Sequence, residues 1–374
     1  MSFSFDLLAV DPGSAARRGR VQTAHGPIET PAFMDVGTWG AVTGCDPAEL
    51  EAVGTQVVLG NTYHLMLRPG PEALRAFGGL HRFMRWDGPM LTDSGGFQIF
   101  SLPNDRVIDE RGARFKGYVD QQMHLLSPER SIEVQTAIGS DIMMVLDVCI
   151  DARSAEAEVR SAMDRTHRWA LRSLAARQDP GQALFAIVQG GVVPALRDES
   201  AAVLTKHPFD GFAIGGLAVG ETRHEREAIT RYTAARLPAE KPRYLMGVGT
   251  PPDLLQAILA GVDLFDCILP TKLAWQGIAF TSTGRVRITR QAHQRDESPL
   301  DATCTCSTCR RFGRAYLHHL FKCSEPLAPR LLSLHNLHHY HALMAEARAA
   351  IEAGTFTELA RQRLSEIDRK EHAS

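Results

Sequence analysis

Between residues 30 and 270 one pattern repeats eight times: a short apolar run ends in Gly, Asp, Asn or Gln, and a longer helical stretch follows. Each run is apolar on both faces, which is typical of strands buried in a parallel sheet. The alternation predicts an α/β fold, a (β/α)8 TIM barrel, with a doubly wound open sheet as the alternative. The eight runs are TPAFMDVGT, QVVLGNTYHL, PMLTDSGG, DIMMVLDVC, LFAIVQGG, GFAIGGLAVG, RYLMGVG and DLFDCILP.

Two segments interrupt this pattern. Residues 101–126 are charged and rich in turn residues, and ARFKGYVDQQMHLL within them alternates like a hairpin. Residues 271–345 lose the strand–helix pattern and contain a cluster of cysteines. We therefore expect a barrel over 1–270 with a hairpin-like insertion, a metal-binding subdomain over 271–345, and C-terminal helices over 346–374 that pack on the barrel.

Composition narrows the class of protein only slightly. The chain has 374 residues, 44% of them hydrophobic and 22% charged, which suits a globular enzyme. A net charge of -2 neither indicates nor excludes a polyanionic partner, because only a local patch must be basic. No apolar run approaches the roughly 18 residues of a membrane span, and MSFSFDLLAV does not resemble a signal peptide. We expect a cytoplasmic protein without membrane contact.

The cysteines indicate a metal site. Three of the seven, Cys304, Cys306 and Cys309, lie within six residues in CTCSTC, a spacing typical of metal ligands. Three thiolates on one loop and a fourth ligand from a following helix would complete the tetrahedron that structural zinc prefers, so we expect one structural Zn²⁺. The spacing does not choose among five candidates for that fourth ligand, which are His318, His319, His335, His338 and His339.

Polar residues at the ends of the predicted strands would share the barrel mouth. In DSGGFQIF, a Gly-Gly turn would expose the carboxylate of Asp93 and let backbone amides and the Phe97 ring approach a flat ligand. A helix cap at Asp93 is the competing interpretation. FDC places Asp266 in the same mouth. Two carboxylates there suffice to break a glycosidic bond with retention of configuration.

Three further strand ends offer a pattern of donors and acceptors that is complementary to guanine. They carry Asp147, Gln189 and the amides of Gly215 and Gly216. Guanine presents N–H donors at N1 and N2 beside an acceptor at O6, so a carboxylate and an amide N–H could read it. Each residue alone is commonly satisfied by a neighbouring loop, but their joint occurrence favours a base pocket.

Several longer motifs resemble one family. DSGGFQIFSL, LDxC, IVQGG, IGGLAVGE, YLMGVG, GVDLFDCILPT and CxCxxC followed by LHN occur in this order between about residues 6 and 345. Together they resemble the queuine tRNA-ribosyltransferases, most closely the bacterial branch. The resemblance implies an irregular (β/α)8 barrel with an inserted C-terminal zinc-binding subdomain. It also implies Asp266 as the nucleophile, Asp93 as the general acid/base and His335 as the fourth zinc ligand.

The resemblance implies a set of binding residues as well. Asp147, Gln189, Gly216 and the Leu217 carbonyl would hold the base, and Glu221 would support them. Phe97 and Met246 would sandwich the base. The full set expected to bind substrate is Ser94, Gly95, Gly96, Phe97, Asp147, Cys149, Gln189, Gly215, Gly216, Leu217, Val219, Glu221 and Met246. The set expected to contact RNA is Gly247, Val248, Gly249, Thr271, Lys272 and Trp275.

The activity that this resemblance implies is exchange of the wobble guanine of tRNA for a 7-deazaguanine through a covalent ribosyl-Asp266 intermediate, without ATP or a redox cofactor. Val219 and Cys149 are of the bacterial type, so we expect 7-aminomethyl-7-deazaguanine rather than queuine as the incoming base. A homodimer is expected. The alternatives are a relative acting on another polynucleotide or base, and a non-catalytic RNA-binding subunit, against which the retention of both aspartates argues.

The chain departs from the family pattern where RNA is expected. Lys272 keeps a basic residue, but Trp275 and Gln276 replace Arg and Asn. Thr43 stands where Lys is usual, and Gln121 where Gly is usual. Residues 268–322 nevertheless contain nine Lys and Arg against three Asp and Glu, a basic patch that could track phosphates.

Overall fold

A computed structural model describes residues 3–101 and 106–371. Within these ranges, none of the helices is both long and apolar enough to cross a membrane. The strands in chain order are β1 Ser4–Val10, β2 Arg17–Thr23, β3 Gly26–Thr30, β4 Ala32–Gly37, β5 Val58–Gly60, β6 Met90–Thr92, β7 Arg106–Asp109, β8 Gly112–Lys116, β9 Met123–Leu126, β10 Ile142–Met144, β11 Ala183–Val188, β12 Gly211–Ile214, β13 Arg243–Leu245, β14 Leu264–Asp266, β15 Ile278–Thr281 and β16 Gly284–Arg287.

The helices alternate with the barrel strands and then dominate the C-terminal part of the chain. They are α1 Pro47–Val53, α2 Thr62–Leu67, α3 Pro71–Phe77, α4 Leu80–Met84, α5 Gly96–Ser101, α6 Pro128–Ile138, α7 Glu156–Ala176, α8 Pro194–Leu204, α9 Arg223–Ala234, α10 Pro251–Leu259, α11 Leu269–Trp275, α12 Ser307–Arg311, α13 Arg314–Lys322, α14 Leu327–Glu352 and α15 Phe356–Glu371, with a short 3-10 helix at Gln291–His293.

Eight parallel strands close into a barrel in the order β10-β11-β12-β13-β14-β4-β5-β6. Each carries one of the eight apolar runs, so the predicted (β/α)8 TIM barrel is confirmed and the open sheet is wrong. All six residues of β11 are buried, as expected for a strand between the barrel interior and the surrounding helices. Because every strand is parallel, the polar residues that follow the strands all lie at one end.

An antiparallel sheet of β1, β2 and β3 precedes the barrel, and its presence was not predicted. In β2, Arg17 donates from Nε to Oδ1 of Asp263 at 2.9 Å, and both side chains are buried. The hairpin turn between β2 and β3 brings His25 Nδ1 within 2.8 Å of Asp141 Oδ1. Since Asp263 and Asp141 each lie just before a barrel strand, this sheet covers the amino ends of the strands.

In the interrupting segment between β6 and α6, β8 and β9 pair as the predicted hairpin, and β7 adds a third antiparallel strand that was not predicted. Residues 102–105 of that expected insertion lie outside the described residues. The sheet is held on the outer surface of α7, where Trp169 Nε1 donates to the Glu110 carbonyl at 3.1 Å. Gln121, where a glycine was the usual residue, adopts a φ of +59° in the turn before β9, a left-handed conformation that glycine adopts without strain.

Two helices beside the insertion begin with different caps. At α6 the side chain of Ser127 accepts from the backbone N–H of Arg130, and Pro128 is the first helical residue. The cap residue of α7 is Ala155, which has no side-chain acceptor. There the side chain of Glu158 accepts from the Ala155 N–H at 3.3 Å, which supplies a cap contact without a hydroxyl.

The long helix α14 joins the C-terminal elements to the barrel. Tyr340 donates its hydroxyl to the Gly249 carbonyl at 2.6 Å, in the loop after β13. The next residue of the helix is His341, and its Nε2 lies 2.9 Å from Oδ2 of Asp35 in β4. Asn336 donates to the carbonyls of Pro270 and Ile278 at 2.9 and 3.1 Å. The helix therefore fixes the segments that follow β13 and β14.

Candidate functional site

The predicted strand-end residues meet at the carboxyl end of the barrel. Asp93 follows β6, Asp147 follows β10, Gln189 follows β11, and Gly215 follows β12. Asp266 is the last residue of β14. In a closed parallel barrel these positions share one mouth, which is the usual location of catalytic groups in this architecture.

Asp93 is a buried carboxylate whose donors among residues 3–101 and 106–371 are all neutral. Its Oδ2 accepts from Asn61 Nδ2 at 2.5 Å and from Gln98 Nε2 at 2.9 Å, and its Oδ1 accepts from the Thr62 N–H at 2.8 Å. Burial raises the pKa of Asp93 to about 6, the hydrogen bonds oppose that rise, and the charge of Asp266 adds to it. A carboxyl with this pKa can exchange a proton near neutral pH, as acid–base catalysis requires.

Asp266 is held by a different set of donors. Tyr244 donates its hydroxyl to Oδ1 at 2.6 Å, and the Gly247 N–H donates to the same oxygen at 2.7 Å. Within the described residues no donor contacts Oδ2, so that oxygen keeps its electron pairs for a substrate. Burial raises the pKa of Asp266, while the hydrogen bonds from Tyr244 and Gly247 lower it.

Asp147 is the centre of a buried hydrogen-bonded group at the same end of the barrel. Ser94 Oγ donates to its Oδ1 at 2.8 Å, and Gln189 Nε2 donates to its Oδ2 at 2.8 Å. Burial raises the pKa of Asp147, and the two hydrogen bonds lower it. Three of the expected base-binding residues are thus brought together in one hydrogen-bonded group.

At two glycines of the expected base-binding set, a side chain would collide with neighbouring residues of the same set. A Cβ at Gly96 would lie 2.6 Å from Asp147 Oδ1 and 2.7 Å from the Asp147 carbonyl oxygen. At Gly216, which has a φ of +66°, a Cβ would lie 2.1 Å from Gln189 Oε1. Both positions therefore require glycine for close approach, and Gly216 also for its backbone conformation.

The turn after β12 is fixed by Glu221. Its Oε1 accepts from the Ala218 N–H at 2.6 Å, and its Oε2 accepts from the Val219 N–H at 3.0 Å. Arg226 holds the same carboxylate at 3.2 Å. The Leu217 carbonyl and the Ala218 N–H belong to the same trans peptide, in which they point in opposite directions. Because the Ala218 N–H points at Glu221, the Leu217 carbonyl points away from Glu221.

The remaining residues expected to bind substrate surround this group. Phe97 is the second residue of α5 and is 49% exposed. Met246 is half-buried directly after β13. Cys149 is buried next to the Asp147 segment, and burial raises the pKa of its thiol, so it is a small packing residue rather than a nucleophile. Gly95, with a φ of +87°, forms the turn between Asp93 and α5.

The three clustered cysteines and His335 converge as a second group, in the C-terminal part of the chain. His335 Nδ1 lies 3.6, 3.5 and 3.3 Å from the sulfurs of Cys304, Cys306 and Cys309. Its Nε2 lies 2.7 Å from the Phe280 carbonyl, a contact that orients the ring toward the thiols. This Cys3His cluster could hold a metal ion, and its donors suit zinc.

The other four candidate histidines lie outside the cluster. His318 Nδ1 contacts the Ile288 carbonyl at 2.8 Å, and His338 Nε2 contacts Thr305 Oγ1 at 3.3 Å. His339 stacks on Phe280 with 6.3 Å between ring centroids. His319 is exposed beside Cys323.

The residues expected to contact RNA lie around Asp266. Gly247, Val248 and Gly249 form the loop after β13, while Thr271, Lys272 and Trp275 lie on α11, which starts three residues after Asp266. Trp275 is 49% exposed and packs near Gly44, next to the substituted Thr43. Two departures from the family pattern therefore share one surface. Gln276, directly after α11, is exposed there as well.

Several residues of the mouth were not predicted. Asn61 and Tyr244 contact the two carboxylates, yet Asn61 ends an apolar run just as the predicted residues do, so the strand-end rule could have found it. Tyr244 lies inside RYLMGVG, where its ring looks like ordinary strand packing. The contact of its hydroxyl with Asp266 joins neighbouring strands, and nothing in the local sequence reveals that pairing.

Comparisons with known proteins agree with this geometry. The family model described as "Queuine tRNA-ribosyltransferase" matches residues 11–369. A queuine tRNA-ribosyltransferase of Thiobacillus denitrificans is 51% identical over 95% of this chain and 96% of its own length. One from Nitrosomonas europaea is 53% identical over 93% and 94%, and one from Pseudomonas putida is 50% identical over 94% and 94%.

The matches cover nearly the whole of this chain and nearly the whole of each relative, so the segments that form the barrel, the insertion and the C-terminal elements all align with these relatives. The name that they carry denotes a pentosyl-transferring glycosyltransferase, the enzyme class expected from the paired carboxylates. The chain belongs to the queuine tRNA-ribosyltransferase family.

Proposed function

We propose that this enzyme exchanges the wobble guanine of tRNA for 7-aminomethyl-7-deazaguanine by double displacement. The observation that carries the proposal is the arrangement of two buried carboxylates in unlike settings. Asp93 has both oxygens occupied by donors, whereas Asp266 keeps one oxygen without a donor among the described residues. The first arrangement suits proton transfer and the second suits nucleophilic attack.

In the first displacement the target nucleotide is turned out of the anticodon loop into the mouth. Oδ2 of Asp266 forms a bond to C1′ of the ribose while the C1′–N9 bond breaks. The electron pair of the broken bond goes to the purine, and protonated Asp93 supplies the proton that neutralises it. The product is a ribosyl ester of Asp266, and guanine leaves.

In the second displacement the incoming base gives its N9 proton to Asp93. N9 then forms a bond to C1′ on the face opposite the ester, and the ester bond breaks to restore the Asp266 carboxylate. Two inversions return the original configuration. Because one N-glycosidic bond is exchanged for another of the same kind, no external energy source is needed.

The pocket supports recognition of guanine and of 7-deazaguanines alike. Asp147 can accept from N1–H and the 2-amino group, and the Gly216 N–H can donate to O6. Ser94 and Gln189 hold Asp147 in place for this contact. Since both bases present the same edge, one pocket can release the first and bind the second.

The turn held by Glu221 supports an aminomethyl substituent. The Leu217 carbonyl points away from Glu221 and offers an acceptor to an exocyclic ammonium, a charge-assisted bond. Val219 is two residues further along the same turn. Its N–H donates to Glu221, and its carbonyl accepts from the Ala152 N–H at 3.2 Å. A branched side chain on so constrained a backbone would limit the room for a larger substituent.

We assign zinc to the Cys3His cluster, with Cys304, Cys306, Cys309 and His335 as its ligands. Bound there, the ion contributes its binding free energy to the folding of the C-terminal elements. Three thiolates and one imidazole are the donor set of closed structural sites.

The basic patch supports contact with a nucleic acid. Arg285, Arg287 and Arg290 line one cavity of about 700 Å³ between the β15–β16 hairpin and the C-terminal helices. Guanidinium groups on an exposed wall suit phosphodiester binding. We propose that RNA phosphates follow this patch toward Lys272 and Trp275. The cytoplasmic location and the homodimer expected from the resemblance stay predictions.

A relative acting on another polynucleotide is the main alternative, because Trp275 and Thr43 alter the surface beside Asp266. A guanine-exchange assay with tRNA and with DNA substrates separates the two. A non-catalytic RNA-binding subunit is the less favoured alternative, since Asp93, Asp147 and Asp266 are all present with donors in place.

Asp266→Asn should abolish exchange, because an amide cannot form the ribosyl ester. We expect the rate of guanine exchange to fall by about 10⁴-fold or more and the covalent RNA adduct to disappear on denaturing gels. RNA binding should persist through the basic patch. Asp179→Asn, in the exposed turn before β11, is the matched control and should keep full activity. Wild-type exchange by Asp266→Asn would show that another group is the nucleophile.

Cys306→Ala should lose the metal, since three ligands do not hold a structural ion as tightly as four. Metal analysis should show less than full zinc occupancy, and thermal melting should begin in the C-terminal elements. Cys323→Ala removes an exposed cysteine outside the cluster and should leave both readouts unchanged. Full zinc occupancy in the Cys306 variant would contradict the assigned ligand set.

Val219→Gly should admit the bulkier queuine, because the branched side chain is removed. In a competition between the two bases for guanine-containing tRNA, we expect the preference for 7-aminomethyl-7-deazaguanine to fall by about tenfold, the value of a few buried carbon atoms. Val107→Gly, on the exposed insertion, is the control. If the unmodified enzyme used both bases equally and Val219→Gly changed nothing, Val219 would not gate the substrate.

A further inference from the structure

Arg197 on α8 is fully buried directly behind the base pocket, and no step of the proposed reaction uses it. We propose that Arg197 is a positioning residue for base recognition: it holds the Gly215 carbonyl so that the Gly216 N–H faces purine O6 as a strengthened donor. This inference deepens the proposed function and rests on it, because it assumes guanine in the pocket.

The guanidinium donates to three strand-end carbonyls. Its Nε contacts the Gly191 carbonyl at 2.8 Å, one terminal nitrogen contacts the Val188 carbonyl at 2.6 Å, and the other contacts the Gly215 carbonyl at 2.9 Å. These carbonyls belong to the ends of two neighbouring strands, β11 and β12. One planar group therefore fixes the relative position of the segments that carry Gln189 and Gly216.

The contact with Gly215 sets the direction of a specific N–H. The Gly215 carbonyl and the Gly216 N–H belong to the same trans peptide and point in opposite directions. With the carbonyl turned back to Arg197, the N–H points away from the guanidinium. A Cβ on Gly216 would lie 2.1 Å from Gln189 Oε1, so this glycine lies against the side chain that holds Asp147. Within the described residues that N–H has no acceptor, although a half-buried donor ordinarily has one. Purine O6 supplies the acceptor.

The charge of Arg197 explains why an arginine is present. Burial lowers the pKa of Arg197 to about 9, and the charge of Glu221 opposes that fall, so the group is still cationic at neutral pH. It makes no ion pair with a carboxylate among the described residues. A cation that donates to a carbonyl polarises the whole peptide, which makes the N–H on its far side a better donor. Such a donor favours the negative charge that builds on the purine as the C1′–N9 bond breaks.

A purely structural role for Arg197 would give the same three contacts, so the test must depend on O6. We would measure equilibrium binding of guanine and of 6-thioguanine to the zinc-loaded enzyme. 6-Thioguanine keeps the N1 and N2 donors for Asp147 but replaces O6 by sulfur, a weaker acceptor. The variants are Arg197→Lys, which keeps the charge, and Arg197→Gln, which removes it.

A matched control is available at the other end of the barrel. Arg243 is also buried and donates to the carbonyls of Leu237 and Gly261 at 2.7 and 3.3 Å. Arg243→Lys should cost stability in the same way as Arg197→Lys without touching the base pocket. Thermal melting of each variant gives the folded fraction against which binding is normalised, so a partly unfolded Gln variant still leaves the Lys variant informative.

We expect Arg197→Lys to weaken guanine binding by about tenfold and Arg197→Gln to weaken it further, with a smaller loss for 6-thioguanine in both. Arg243→Lys should bind both bases as the unmodified enzyme does. An equal loss for the two bases, or the same loss in Arg243→Lys, would overturn the role of Arg197 and leave the proposed function standing. Failure of the unmodified enzyme to bind guanine would overturn both.

Discussion

Two carboxylates are held in the mouth of the barrel with no cation beside them among the described residues, and the rest of the site depends on this constraint. The donors to Asp93 are an amide, a backbone N–H and a second amide, and the donors to Asp266 are a phenol and a backbone N–H. Neutral donors stabilise a carboxylate less than an ion pair does, so burial prevails and the pKa of each group is raised. The two groups differ in which oxygens stay available: both oxygens of Asp93 accept from donors, whereas Oδ2 of Asp266 has no donor among the described residues.

The C-terminal elements contribute to the same constraint from a distance. His335 joins the Cys3His cluster to α14, and five residues later Tyr340 holds the Gly249 carbonyl. That loop supplies the Gly247 N–H to Asp266. Folding of the Cys3His cluster and placement of Asp266 are therefore linked through one helix.

The sequence predicted those parts of the fold that repeat. Eight buried runs were enough to identify the barrel, because a parallel strand covered on both faces is apolar along its whole length. The sheet of β1 to β3 escaped prediction because apolar residues of β1 occur on both faces: Phe5 and Ala9 pack against the core, while Leu7, Leu8 and Val10 are exposed. Its anchor, the pair of Arg17 and Asp263, spans most of the chain.

Within the site, too, the sequence predicted the residues whose place follows from the repeating pattern and missed those whose place depends on contacts between strands. Asp93, Asp147, Gln189 and Asp266 end their strands, so position along the chain indicated their place in space. Tyr244 and Arg197 act through contacts between neighbouring strands, and no local pattern records such contacts. The fourth metal ligand could be selected only by family resemblance, because five histidines have similar spacing.

The most direct test of the central claim is the pH dependence of the second displacement. A preformed ribosyl adduct is mixed with the incoming base, and the rate at which the adduct disappears is followed. Asp93 must be deprotonated to accept the N9 proton, so the rate should fall by about tenfold per pH unit below its pKa and level off above it. The bend should lie close to pH 6, or slightly lower because esterified Asp266 no longer adds its charge.

The variant Asn61→Ala removes a hydrogen bond that lowers the pKa of Asp93, so the bend should move to higher pH. A rate that is independent of pH between about 4 and 8, or a bend that Asn61→Ala does not move, would contradict the assignment of proton transfer to this buried carboxyl.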